Sequence, residues 1–313
     1  MPILESGEET LVGGQAVMEG VMMRAPHSYC VAVRKPSGEI VTEQMPLPRL
    51  SDQYKIFKLP ILRGIGTLFQ AMKLGFKALN FSATAALDDP SIPVEKRPSE
   101  KTWNGALVVN FVFGLGMLIV LYKVIPLFLV TQLEKVYPAL HGRIAFNVAD
   151  GVIRMAIFLG FLYFMSRMKD IFRVFQYHGA EHKVVFNYES GQPVNIENAQ
   201  KFVTWHPRCG TSFLFVLLIL VIPFYALIPY DGFVAKLVCR ILILPFVVGL
   251  AYELIRFAAK RRGSFLATIT APGLWLQRIT TKAPDDAQAA VAIRALEGAM
   301  ELEKAQGGEL VIA

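Results

Sequence analysis

Residues 177–186 read YHGAEHKVVF and place two histidines four positions apart, with a glutamate directly before the second. On a helix, His178 and His182 share a face with Val174, Tyr177, Glu181 and Val185, at i, i+3 and i+4 spacing. Residues four apart carry Cβ atoms about 5–6 Å from each other, so both imidazoles can reach one ion. The order His-x-x-Glu-His is that of the inverted zinc-hydrolase motif. Two imidazoles fix the metal, and the carboxylate beside them is a base for water. The plain alternative is a polar helix face, because a five-residue pattern arises often by chance.

A second stretch strengthens the metal reading. Residues 205–212, WHPRCGTS, offer His206 and Cys209 as His-x-x-Cys in a turn shaped by Pro207 and Gly210. Imidazole nitrogen and thiolate sulfur are both zinc donors. Three of the five histidines and Cys209 thus fall between residues 178 and 209. The candidate metal residues are His178, His182, His206 and Cys209, with zinc the expected ion and Glu181 the candidate catalytic base. Alternatively, His206 and Cys209 only shape the turn. His27 and His141 stand alone and are expected at the surface. The cysteines number three, an odd count with wide spacing, which argues against a disulfide framework. Cys30 and Cys239 read as small buried hydrophobes.

The elements that must hold these residues are membranous. The chain has 313 residues, 54% of them hydrophobic, and a net charge of +7. That is too apolar for an ordinary soluble protein. The apolar residues gather in four blocks, about 105–130, 144–166, 211–229 and 233–258, each near the roughly 20 residues that cross a bilayer. Lys123, Asp150, Arg154, Lys236 and Arg240 fall inside or near them and are expected to face protein or water. Pro126, Pro223 and Pro245 are tolerable where neighbouring helices satisfy the freed backbone. The first ten residues, MPILESGEET, are acidic and lack an apolar core, so the first hundred residues are expected to stay in the cytoplasm. Lysines and arginines flank the first block on its N-terminal side, fill 167–210, and follow the fourth block, whereas the two other loops hold only Lys135 and Arg143. The charge rule then puts both termini and the 167–210 stretch in the cytoplasm. The same basic residues suit anionic lipid headgroups. No basic run is interleaved with aromatics, so nucleic acid is not an expected partner. Membrane lipids are, while protein partners or a second copy of the chain stay open.

Outside the spans, residues 1–58 read as a β-containing segment, with a hairpin turning at KPSGE through Pro36 and Gly38. Before it, LVGGQAVMEGVMMR carries a glycine pair that suits a strand closely approached by other groups. That stretch reads as a structural strand and tight turn, with Glu19 and Arg24 keeping a site role open. Residues 59–87 suit an interfacial or re-entrant helix. Residues 88–104 form a linker, 105–258 the four-span domain, and 259–313 a cytoplasmic end with an interfacial stretch, PGLWLQRITT, and a last helix capped by Asp285. The fold class is therefore an α-helical integral membrane protein of about four spans, with a small N-terminal β segment and interfacial amphipathic helices.

With GGQAVMEGVMMR, YHGAEHK, HPRCGTSF, YELIRFA and APGLWLQ on view, the chain resembles the YqhQ-like bacterial membrane proteins over roughly residues 11–295. That family is described as predicted metal-dependent enzymes of unknown function. The resemblance implies a bacterial integral membrane protein with metal residues among His178, Glu181, His182, His206 and Cys209, and it brings no substrate.

Two functions compete. One is a zinc-dependent hydrolase at the cytoplasmic face of the bacterial inner membrane, with a lipid-linked or peptide substrate. The other is a non-enzymatic scaffold or assembly factor in which zinc closes the 178–209 loop. Five histidines are too few for a membrane desaturase, and no His-Glu-x-x-His lies within a span. Four spans are few for a transporter. Glu253 and Arg256 read as an i, i+3 ion pair at a helix end, with Glu253 as a further metal ligand the alternative.

Overall fold

The computed structural model describes residues 12–48, 50–87, 100–206, 209–229, 232–260 and 265–305. The acidic N-terminus, most of the 88–104 linker, Pro207, Arg208, Arg261 and Arg262 lie outside the described residues.

Four strands form, β1 (Gly13–Val17), β2 (Gly20–Arg24), β3 (Ser28–Arg34) and β4 (Ile40–Pro46), and the two central ones are apolar nearly throughout. They pair in chain order as an antiparallel meander, followed by the one-turn α1 (Leu50–Gln53). The β3–β4 hairpin closes at KPSGE, where Gly38 takes φ +89°, a value that glycine adopts without a steric penalty. The β1–β2 turn is tighter, and Glu19 itself lies at φ +51°.

Both faces of the sheet are covered. Met23, Cys30 and Ala32 pack against Tyr177, Ala180 and Val184 of α6 (Lys169–Glu189) and Val291, Ala295 and Ala299 of α12 (Asp286–Ala305). Met22, Tyr29, Val31 and Val33 pack on the other side against Leu74, Ala78 and Ala85 of α2 (Leu62–Leu87). The β segment is thus the middle layer of a three-layer unit built from both ends and the centre of the chain. α12 starts at a reciprocal cap: Gln288 N donates to Asp285 Oδ1 at 2.7 Å, and Asp285 N donates to Gln288 Oε1 at 3.0 Å. On its outer side α2 keeps Leu68, Phe69, Met72, Phe76 and Leu79 exposed, a stripe at helical spacing.

The apolar blocks are helical. α3 (Glu100–Ile119), a π-turn (Val120–Val124) and α4 (Ile125–Val136) make up the first. α5 (Arg143–Met165) is the second, α8 (Gly210–Ala226) the third, and α9 (Phe233–Leu242) with α10 (Leu244–Lys260) the fourth. Val108–Val136 and Arg143–Met165 are long and apolar enough to cross a membrane, and α9–α10 would be a third span if its 44° bend is allowed. α8, at 17 residues, is apolar but shorter. Among the described residues, two to three long apolar helices thus stand where four spans are expected from the sequence. One proline accounts for part of the difference. Pro245 sits in the first turn of α10, where its missing N–H is harmless, directly after the break. Pro126 has no N–H to give the Tyr122 carbonyl four residues back, and the ladder there widens into the π-turn. Arg154 Nε reaches that carbonyl at 3.1 Å.

The charged residues inside the blocks find each other. Asp150 accepts from Arg154 and, at 2.8 Å, from Arg240 Nη1. Arg240 Nη2 donates to Asn147 Oδ1 at 2.8 Å. Lys123 Nζ donates to the Tyr225 hydroxyl at 2.5 Å, and both guanidiniums lie about 5 Å from the Tyr225 ring centre. All are buried. Lys236 instead stacks on Phe146, 4.1 Å from its ring centre. The remaining connector, 167–210, is not a loop. Its described residues include α6 and the five-residue α7 (Ile196–Gln200).

Candidate metal centre

α6 carries both motif histidines on the face it turns toward α11 (Phe265–Thr280) and Thr204. His178 Nδ1 lies 2.8 Å from the carbonyl oxygen of Thr280, the last residue of α11. His182 Nδ1 lies 2.5 Å from the carbonyl oxygen of Thr204. A carbonyl oxygen can only accept, so each Nδ1 carries the proton and each Nε2 keeps its lone pair. The Thr280 carbonyl is one that a helix end leaves without an intrahelical partner, so the contact also caps α11. Nε2 of His178 stands 3.2 Å from Cys209 Sγ. One ligand atom from each of His178, His182 and Cys209 lies within 4.8 Å of the others. Donors around one zinc stand about 3.3–3.8 Å apart, given bonds of about 2.0–2.3 Å. The donor set and the tied-back imidazoles therefore fit such an ion.

Glu181 is buried, with Oε2 3.4 Å from His182 Nε2. It reaches the site edge because β1 has no side chain to oppose it. A Cβ on Gly14 would meet Glu181 Cγ at 2.6 Å. His206 is adjacent but faces elsewhere. Its ring centre is 5.6 Å from that of His182, yet its Nε2 lies 3.5 Å from Glu189 Oε2. Burial holds the His206 imidazole below its ordinary range, against the opposing pull of the Glu181 charge. Of the expected residues, the structure therefore gathers His178, His182 and Cys209 as donors, Glu181 at their edge and His206 one ring away.

The supporting residues are of a kind the motif does not signal. Gln277 locks the His206 turn: His206 N donates to its Oε1 at 2.7 Å, and its Nε2 donates to His206 O at 2.8 Å. A Cβ on Gly179 would collide with the Lys282 carbonyl, so glycine lets α6 press against the chain leaving α11. Glu19 accepts from Arg173 Nε and Nη2 at 2.5 and 2.6 Å and from the Tyr177 hydroxyl at 3.2 Å. The hydrogen bonds from Arg173 hold its carboxyl below the usual range. Glu19 is thus a strut between the first hairpin and α6, one turn before His178.

Three expectations need correction. Glu253 lies outside the group of His178, His182 and Cys209, and its ion pair is with Arg63 of α2, whose Nε lies 2.5 Å from Oε1. His27 is not isolated, since its Nδ1 lies 2.8 Å from Glu303 Oε1. Cys239 is only half-buried, whereas Cys30 is fully buried and its thiol is pushed up to about 12 by burial. His141 is exposed as expected.

A set of apolar helices long enough to span a bilayer, joined to a three-layer unit with a His-His-Cys cluster, defines the class of protein. The family model described as "Protein of unknown function (DUF1385)" matches residues 59–302. The chain is also 35% identical over 297 residues to "Uncharacterized protein YqhQ" of Bacillus subtilis (strain 168), covering 93% of this chain and 92% of that protein. The chain belongs to this bacterial family. No solved structure matches it.

Proposed function

We propose that this protein is a zinc-dependent hydrolase of the bacterial inner membrane, acting at the cytoplasmic face on a lipid-linked or peptide substrate. The observation that carries the reading is the pair of imidazoles tied through Nδ1 to the Thr280 and Thr204 carbonyls, with Cys209 3.2 Å from His178 Nε2. When bound there, zinc supplies Lewis acidity toward water and a polarised carbonyl or phosphoryl oxygen. His178, His182 and Cys209 hold it. Glu181 serves as general base, taking a proton from the attacking water and returning it to the leaving group. Its burial against β1 keeps the carboxylate oriented and largely dry.

The membrane part of the proposal is four spans with both termini and the α6–α7 region in the cytoplasm. It is supported by the long apolar helices and by the distribution of lysine and arginine. The exposed stripe of α2 then lies along the bilayer surface.

A second reading is a structural site in a membrane scaffold. What favours it is His206, whose ring stands beside His182 and would serve as a fourth donor. A closed four-donor site leaves no place for water, whereas three donors do. Glu181→Gln separates the two. As a hydrolase base, its loss costs about 10²–10⁴-fold in rate while zinc content holds. Complementation of a strain lacking the protein, with zinc per chain measured in parallel, reads this out. Full complementation by a zinc-loaded Glu181→Gln protein would end the hydrolase reading.

A further inference from the structure

Beside the metal centre lies a cleft of about 630 Å³ between the end of α5, the start of α6 and the end of α11. Five of its nine lining residues are cations: Arg167, Lys169, Arg173, Arg278 and Lys282. No carboxylate is among the nine. Arg173 is matched by Glu19, which leaves four positive side chains facing one opening. Cations so gathered favour an anion among them.

Its position says which kind of anion. α5 is one of the long apolar helices, and the cleft begins at Tyr163 and Ser166 where α5 ends. Tyr163 and Trp275 are exposed there, the residue types that sit at headgroup level. The Arg167 guanidinium lies 6.0 Å from the Tyr163 ring centre, and that of Arg278 lies 6.0 Å from the Trp275 ring centre. A stacked guanidinium keeps its N–H edge free for phosphate oxygens.

We propose that this cleft binds the phosphate of an anionic membrane lipid, with the acyl chains running down the α5 surface. The cleft shares its wall with the metal centre. Lys282 N donates to Phe175 O at 2.8 Å, and Thr280, two residues earlier, holds His178. On the hydrolase reading, a lipid held beside the centre is the substrate class. That last step rests on the hydrolase reading, while the binding site itself does not.

The test uses the full-length protein in nanodiscs of equal phosphatidylglycerol and phosphatidylcholine, with lipid retained on release counted by native mass spectrometry. Wild type is expected to keep phosphatidylglycerol selectively. Arg167→Glu with Arg278→Glu is expected to keep about tenfold less, with zinc per chain unchanged. Lys201→Glu with Lys304→Glu makes the same charge change outside the cleft and is expected to behave as wild type. Equal retention by both double variants would overturn the site. Release of the lipid by millimolar inorganic phosphate would assign the cleft to a soluble phosphate and overturn the lipid. Failure of the hydrolase reading shows separately, as complementation by Glu181→Gln with lipid retention intact.

Discussion

Gly14 of β1 lies against Glu181 of α6 so closely that a methyl group on Gly14 would overlap the glutamate side chain. The contact ties the first strand to the site edge across more than 160 residues of chain, and it explains why a glycine stands there. Gly14→Ala should push either β1 or the carboxylate aside. The expected cost is about 1–3 kcal/mol of stability, as for other overpacked cores. Thermal unfolding with zinc content read alongside checks it, and an unchanged midpoint would mean that the contact is looser than it stands.

Asp150 is the carboxylate shared by Arg154 and Arg240. Asp150→Asn leaves two buried guanidiniums that cannot shed their charge. Breaking a buried pair from one side costs about 3–5 kcal/mol. Denaturant unfolding in mixed micelles should show a loss of that order. Wild-type stability in Asp150→Asn would show that water or lipid already screens the cluster.

Glu303 links α12 to the start of β3. Burial alone would lift its carboxyl, but hydrogen bonds from His27 and Ser28 outweigh that and hold it below the usual range. A depressed folded value gives stability that is fully present above the unfolded value, about 4.3. It is lost as pH falls through the folded value. The melting temperature of wild type should therefore fall more steeply below about pH 4 than that of Glu303→Gln. Parallel acid curves for the two proteins would remove Glu303 from the account.

The proposed topology puts Ser190 in the cytoplasm and Tyr137 outside. Both positions are exposed, so cysteines there can react. A membrane-impermeant thiol reagent on intact cells should label Tyr137→Cys above the native background and spare Ser190→Cys. The reverse pattern would invert the protein.

Much of this was legible in the chain wherever the signal is local. The i, i+4 spacing of His178 and His182 put them on one helix face, KPSGE announced its hairpin, and Asp285 marked the start of α12. What was hidden depends on distant partners. Thr204 and Thr280 act through backbone carbonyls, which every residue carries, so nothing in their identity marks them. Glu253 sits near Arg256 in sequence, but the fold brings Arg63 to it from 190 positions away. His27 looked solitary because Glu303 lies 276 positions off. The sheet was visible as strands, yet its burial on both faces emerges only when α2, α6 and α12 are brought together. Apolar length alone likewise overlooks what Pro126 and Pro245 do to a helix ladder.

The central claim is that His178, His182 and Cys209 hold one zinc ion, and X-ray absorption at the zinc edge of the purified full-length protein tests it most directly. The account expects about one zinc per chain, with two or more nitrogen neighbours at about 2.0–2.1 Å and one sulfur at about 2.3 Å. The zinc should be lost in His178→Ala with His182→Ala. A first shell without sulfur, or full zinc content in that double variant, would contradict it.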